Sequence, residues 1–393
     1  MPESTSVIRF KNRIEAELFD SVLPFWENHS PDTKNGGYYN CLDRDGSLYD
    51  TRKHIWLQGR QAWMFSTLYR NVEQSAGWLE LAGSGVKFLQ QFAVKENGRV
   101  YFEMTDDGKP IYLQRKIFSE CFYIMALAGY GHASGQSSYL KEAEEQLERV
   151  WKWSKDLSQV GRPSFEGEVP AQSLAIPMIL LNLIEEVTLG ETDRFRREIN
   201  ECIERILLHV HTDRKMVFET VTPDGEYINS IDGRLLNPGH AIEAGWFLQR
   251  WAQRLEDPEL AKIAAQMVRW SFETGWDKQH GGLYYFLDSE GYSPTQLEWD
   301  MKLWWPHCEA MIGHLMNASI FENEKDWQLF EETAEYTFNH FPDEKHGEWF
   351  GYLNRSGEVT HRFKGGSYKG CFHVPRALYI CWELLKNMEN KSA

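Results

Sequence analysis

A short segment in which aromatic residues run into an Asp-x-x-Gly type turn recurs six times along this 393-residue chain, and nothing else in the sequence limits the fold as tightly. The copies are Gly37-Tyr-Tyr-Asn-Cys-Leu-Asp-Arg-Asp-Gly46, Arg99-Val-Tyr-Phe-Glu-Met-Thr-Asp-Asp-Gly108, a degraded Pro163-Ser-Phe-Glu-Gly167, Met216-Val-Phe-Glu-Thr-Val-Thr-Pro-Asp-Gly225, Gly282-Leu-Tyr-Tyr-Phe-Leu-Asp-Ser-Glu-Gly291 and Glu348-Trp-Phe-Gly-Tyr-Leu-Asn-Arg-Ser-Gly357. Strand-favouring residues that end in such a turn signal a hairpin. Between copies lie two stretches with apolar residues three or four apart, as in residues 61–69 and 78–89, which is the period of an amphipathic helix. Each unit is therefore a hairpin plus two helices. Repeated helix pairs stack as an open solenoid or close on themselves, and the lack of polar capping units favours closure. The expected fold is all-α, an (α/α)6 barrel with short β-hairpins in the inter-helix loops. No Pro/Gly/Ser-rich linker divides it, so residues 1–393 read as a single catalytic domain.

Charge narrows the partners. A net charge of −16 disfavours a nucleic-acid backbone, whose binding needs clustered Lys and Arg, and favours a neutral ligand. The first twenty residues mix acids and bases without an apolar core, and no run approaches the roughly 20 apolar residues of a membrane span, so a cytoplasmic, membrane-free protein is expected. Six cysteines without a CxxC pair suggest neither a zinc ribbon nor a disulfide framework. The 16 tryptophans are mostly core candidates, though flat apolar rings also suit the C–H faces of sugars. Leucines around residues 174–184 hint at a zipper, but the register fails at Thr188 and Pro177 interrupts it, so a buried helix is the better reading.

If the units are equivalent, residues at a fixed distance after each hairpin share one level of the barrel. Arg60 follows Tyr38 by 22 residues, His240 follows Phe218 by 22, Glu309 follows Tyr284 by 25 and His373 follows Phe350 by 23. Each sits near the start of an apolar-patterned helix, after a Gly or Pro. A lone histidine at a helix start is commonly a cap, and a lone arginine an ion-pair partner; four coincidences of phase point instead to one cavity. Glu243, one turn beyond His240, is placed to share its face and fix its tautomer.

Three chemistries fit these residues. His240 with Glu243, or His307 with Glu309, would be half a metal site, but no HExxH or Cys/His cluster accompanies them. Glu243 and Glu309 would serve glycoside hydrolysis as paired carboxylates. Two imidazoles and an arginine suit proton transfer at carbon better, one imidazole acting as base while the other holds a proton. The carbon acid must lie next to a carbonyl, so a sugar would open its ring first, and Arg60 would face the developing oxyanion.

At these residues the chain resembles the N-acylglucosamine 2-epimerase family, known in mammals as renin-binding protein. The matching stretches are Ile55-Trp-Leu-Gln-Gly-Arg-Gln-Ala-Trp63, Arg234-Leu-Leu-Asn-Pro-Gly-His-Ala-Ile-Glu-Ala244, Gln296-Leu-Glu-Trp-Asp-Met-Lys-Leu-Trp-Trp305 and Lys364-Gly-Gly-Ser-Tyr-Lys-Gly-Cys-Phe-His-Val-Pro-Arg376. The resemblance implies the (α/α)6 barrel, a homodimer, and interconversion of N-acetylglucosamine and N-acetylmannosamine without metal or redox cofactor, with ATP as an activator. It also implies catalytic roles for His240 and His373, the enediolate contact for Arg60, supporting carboxylates in Glu243 and Glu309, and a sugar pocket lined by Lys302, Trp304 and Tyr368. Related barrels, the cellobiose 2-epimerases and aldose-ketose isomerases, carry a further histidine on the helix after the third hairpin. Residues 172–187 contain none, which favours the N-acylhexosamine branch over unacylated sugars.

Overall fold

The apolar period of the sequence becomes helix throughout the computed structural model, which describes residues 3–392. In chain order the helices are α1 (Ser4–Ala16), continued through a π-helical stretch into α2 (Leu23–His29), α3 (Ile55–Asn71), α4 (Ala76–Phe88), α5 (Phe118–Ser134), α6 (Ser137–Lys155), α7 (Ala175–Thr188), α8 (Arg196–Leu207), a short α9 (Ile231–Arg234), α10 (Pro238–Arg254), α11 (Pro258–Gly275), α12 (Trp304–Phe321), α13 (Glu324–His340) and α14 (His373–Ser392). Two kinds alternate. Helices α3, α5, α7, α10 and α12 are buried over most of their length, whereas α6 and α8 bury one stripe each, such as Ile199, Cys202, Ile203 and Ile206. A helix buried all round must be enclosed by others, and one with a single apolar stripe faces water on its far side. The residues that suggested a zipper, Leu180, Leu181, Leu183 and Ile184, are fully buried core.

The buried helices neighbour one another in the order α3, α5, α7, α10, α12, α14. Helix α3 approaches α5 closely because residue 59 is glycine; a Cβ there would lie 2.2 Å from the Phe122 carbonyl oxygen. The last unit returns to the first. Phe372, just before α14, stacks edge-on against Trp63 of α3 at 5.5 Å, the Lys364 amide donates to Leu42 O at 2.9 Å, and α1 packs on α14.

The repeated segments hold the starts of the buried helices. Lys53–His54 pairs antiparallel with Glu103–Met104, Gln172–Ser173 with Thr220–Val221, and Lys302–Leu303 with Tyr352–Leu353. In the same way the first helical amides donate to the next segment, Ile55 N to Phe102 O at 2.9 Å, Leu174 N to Glu219 O at 2.9 Å and Trp304 N to Gly351 O at 3.1 Å. Copies one, two and six also fold back on themselves across the turn, as in Cys41–Leu42 with Leu48–Asp50. The degraded third copy enters no strand among the described residues. Where it would cap the start of α5, Arg99 donates instead to the carbonyls of Gln114 and Lys116. Buried ion pairs brace three of the turns: Asp32–Lys53 at 2.7 Å, Asp277–Lys302 at 3.1 Å and Asp343–Lys364 at 3.1 Å.

Candidate active site

Four helix starts converge on one lumen. His240 lies in the first turn of α10 and His373 in the first turn of α14, while Arg60 and Glu309 lie just beyond the first turns of α3 and α12. Asn237 caps α10, accepting from the His240 amide, and Pro238 supplies the fixed φ of an N-terminal position. Gly239 leaves room for the Trp305 ring, which a Cβ would meet at 2.4 Å. As a result Trp305 stands between the two histidines, its ring 5.3 Å from His240 and 5.8 Å from His373.

Each imidazole is held by its own carboxylate. His240 Nδ1 lies 3.0 Å from Glu219 Oε2, and His373 Nδ1 lies 2.8 Å from Glu309 Oε1. A carboxylate acceptor places the proton on Nδ1 and leaves Nε2 to the lumen, where neither histidine has a hydrogen-bond partner among the described residues. The partner of His240 is thus Glu219 and not Glu243, although Glu243 shares its helix face. Glu243 accepts from Arg376 NH2 at 2.7 Å; the same nitrogen donates to Glu309 Oε1 at 2.6 Å and approaches His373 Nδ1 to 3.2 Å. Glu309 Oε2 accepts from Trp246 Nε1 at 2.9 Å, so this fully buried carboxylate has a donor on each oxygen.

The two environments push the imidazoles apart. Burial disfavours the charge on both, but at His240 the Glu219 carboxylate outweighs it and lifts the pKa above the ordinary value. At His373 burial is joined by the cations Arg376 and Arg60, which drive the pKa well below the ordinary value. Opposite shifts on paired groups set one as acid and one as base. Arg60 lies on the rings of Phe122 (4.1 Å), Trp56 (4.6 Å) and Phe372 (4.9 Å), its Nε unpaired, and burial pulls its pKa down to about 9. It has no ion pair among the described residues. Its charge is available to a ligand.

The residues read as a sugar pocket are not all in the lumen. Lys302 is fully buried on Asp277 and Gly282 O, one of the three turn-bracing pairs, and makes no contact with either histidine among the described residues. Its strand position before α12 aims it at the turn. Trp304 is buried, its ring 5.1 Å from Tyr352 and 6.5 Å from His373. Tyr368 is 62% exposed, with its ring edge on Trp56 at the mouth. Sequence reasoning missed Glu219, Arg376 and Trp305, though each carries a signal. Trp305 stands four residues before Glu309 and Arg376 three after His373, on the same helix stripes; Glu219 holds the repeat position occupied by Asn40, Phe102, Tyr285 and Gly351 in other copies.

Glu243, Glu309 and His373 bring ligand atoms within 4.8 Å of one another, close enough for a metal ion. Arg376 already sits on these atoms, so a divalent cation would have to displace a guanidinium from its carboxylates. His307, the other candidate ligand, is fully buried and turned away, with Nδ1 2.6 Å from Leu303 O. Among the described residues no helix is long and apolar enough to cross a membrane.

The model of the N-acylglucosamine 2-epimerase (GlcNAc 2-epimerase) family matches residues 37–377. The N-acylglucosamine 2-epimerase of Bos taurus is 45% identical over 402 aligned residues, covering 100% of this chain and 94% of the bovine protein. Among solved structures, a cellobiose 2-epimerase from Spirochaeta thermophila superposes with a TM-score of 0.82 at 22% identity, covering 98% of both chains. A D-mannose isomerase gives 0.82 at 18% identity, covering 96% of this chain and 98% of its own. At such identities these two structures speak for the fold alone.

Proposed function

The chain belongs to the N-acylglucosamine 2-epimerase family, and on that premise we propose that it interconverts N-acetyl-D-glucosamine and N-acetyl-D-mannosamine at C2 of the ring-opened sugar inside a closed (α/α)6 barrel. The observation that carries the reading is the pair of imidazoles that both lie against Trp305, each with Nδ1 on a carboxylate and with opposite pKa shifts. Neutral His373 takes the C2 proton on Nε2. The C–H electron pair becomes the C1–C2 double bond, and the carbonyl pair moves to O1, where Arg60 meets the negative charge. When the carbonyl re-forms, C2 takes a proton from the His240 imidazolium on the opposite face, and its configuration inverts. The reverse reaction uses the same groups with roles exchanged. Glu219 and Glu309 orient the bases, and Glu243 with Arg376 fixes Glu309. Tyr368 and Trp56 offer rings to the sugar at the rim.

This chemistry needs no resident metal or redox group; ATP enters the reading only as an activator. A cytoplasmic homodimer completes it. Proton NMR of N-acetylglucosamine with the EDTA-treated protein in deuterium oxide, with and without ATP, tests the reading. N-acetylmannosamine carrying deuterium at C2 is the expected product. Turnover of mannose or glucose in its place would move the chain to the isomerase branch.

A further inference from the structure

One stretch of the lumen wall is left over from the proton chemistry. Along α7, Ala175, Met178, Ile179 and Asn182 keep 7%, 6%, 8% and 4% of their surface, whereas the intervening Leu180, Leu181, Leu183 and Ile184 keep none. These four recur every three or four positions, on one helix face, while the more exposed Ile176 lies about 100° round the helix from Ala175. The stripe ends at Glu186, which accepts from Trp63 Nε1 at 2.6 Å. Trp63 lies one turn beyond Arg60 on α3, so this face of α7 looks into the same lumen. At its upper end Ser173 Oγ donates to Glu219 Oε1 at 3.3 Å, beside the carboxylate that holds His240. Phe122 of α5, whose ring carries Arg60, continues the wall. Together Phe122, Ala175, Met178 and Ile179 form an apolar surface facing the charged residues of α10, α12 and α14.

Resting on the epimerase reading above, we infer that this α5–α7 wall seats the alkyl end of the substrate's N-acyl group and sets the acyl length the enzyme accepts. The acyl nitrogen is bonded to C2, the carbon whose proton moves. With C2 held between His240 and His373, that substituent must project sideways from the line joining them. The acyl methyl is the only apolar group on an otherwise hydroxylated chain, and a ligand pocket places apolar groups on apolar lining. On the opposite side it would cover the remaining exposed edge of the Glu243 carboxylate without offering it a hydrogen bond.

The test is kcat/KM for N-acetyl-, N-propanoyl- and N-butanoylglucosamine in the wild-type protein and in Ile179→Ala and Met178→Ala. Shortening the wall is expected to raise the butanoyl-to-acetyl ratio by roughly fourfold for each methylene newly accommodated. Ile179→Val, which keeps the core nearly filled, should move the ratio in the same direction by a smaller step and covers the case in which the alanine variants do not fold. An unchanged ratio in variants that still turn over N-acetylglucosamine would overturn the wall assignment alone. A wild-type protein that turned over mannose or glucose but no N-acylated sugar would overturn the epimerase reading, and the assignment with it.

Discussion

The lumen has two unlike walls built on the same scaffold. Helices α10, α12, α14 and α3 present His240, Glu243, Glu309, His373, Arg376 and Arg60; hydrogen bonds of 2.6–2.8 Å lock Glu243, Glu309, His373 and Arg376 together, His240 is held at 3.0 Å by Glu219, and Arg60 stays free. Helices α5 and α7 present Phe122, Ala175, Met178 and Ile179 to the lumen; of their acids, Glu120 is paired with Arg99 and Glu185 with Arg250 and Arg254, and Glu186 bonds Trp63. A buried charge costs several kcal/mol unless paired, so the polar wall must be assembled as a network whose members depend on one another. The apolar wall carries no such constraint, and its shape can change one side chain at a time. The proposed function puts chemistry on the first wall, and the inferred acyl seat puts discrimination on the second.

The largest effect expected is on the polar wall. His240→Ala or His373→Ala should each lower kcat by about 10²–10⁴-fold, the usual worth of a positioned general acid or base. The thermal midpoint should fall further in His373→Ala than in His240→Ala, because His373 donates to the fully buried Glu309, which keeps only Arg376 and Trp246 as donors, whereas Glu219 is part-exposed. Near-normal turnover in both variants would erase the division of labour between the walls.

A smaller effect sharpens the roles within that wall. Glu219→Gln keeps the shape beside His240 and removes the charge that raises its pKa. A supporting group of this kind is worth about 10–100-fold. The sign follows from which form acts. In the direction that starts from N-acetylglucosamine, His373 must be neutral, so activity rises with pH through its lowered pKa; His240 must be protonated, so activity falls as pH rises through its raised pKa. The wild-type pH profile of kcat/KM should therefore be broader than two ordinary imidazoles near 6.5 would allow. In Glu219→Gln the basic limb should move to lower pH while the acidic limb stays. A loss of rate with both limbs in place would mean that Glu219 only holds structure.

Much of this wall was legible in the sequence because phase within a repeat is a geometric statement. Arg60, His240, Glu309 and His373 were drawn together by counting from each hairpin, with no knowledge of the ring. The counting stops short of contacts between a repeated segment and the helix that follows it. Glu243 shares a helix face with His240, and helical spacing favours it over Glu219, 21 residues upstream, which only the repeat alignment marks as the acidic residue at its position. The mostly helical content is legible from the apolar period, while the strand partners lie in neighbouring units and depend on three-dimensional order. The third copy lacks the aromatic alternation, and the bonds it would make fall to Arg99, whose role nothing in its local sequence announces.

Lys302 offers the smallest effect on turnover and the clearest contrast with the histidines. It stands in a motif otherwise rich in site residues, yet its ammonium lies 3.1 Å from Asp277 Oδ2 in the place that Lys53 and Lys364 take in their own units. Removing it strands a carboxylate that is almost wholly enclosed, although Arg355 Nε at 3.3 Å and the Gln279 amide at 3.0 Å still reach that group. Breaking a buried pair costs about 3–5 kcal/mol, and these remaining partners favour the lower end. Lys302→Met should therefore lower the midpoint of urea unfolding while leaving KM for N-acetylglucosamine within about twofold of wild type, since no step of the proton transfer passes through it. A raised KM at unchanged stability would put Lys302 in the sugar pocket and require the strand before α12 to open toward the lumen.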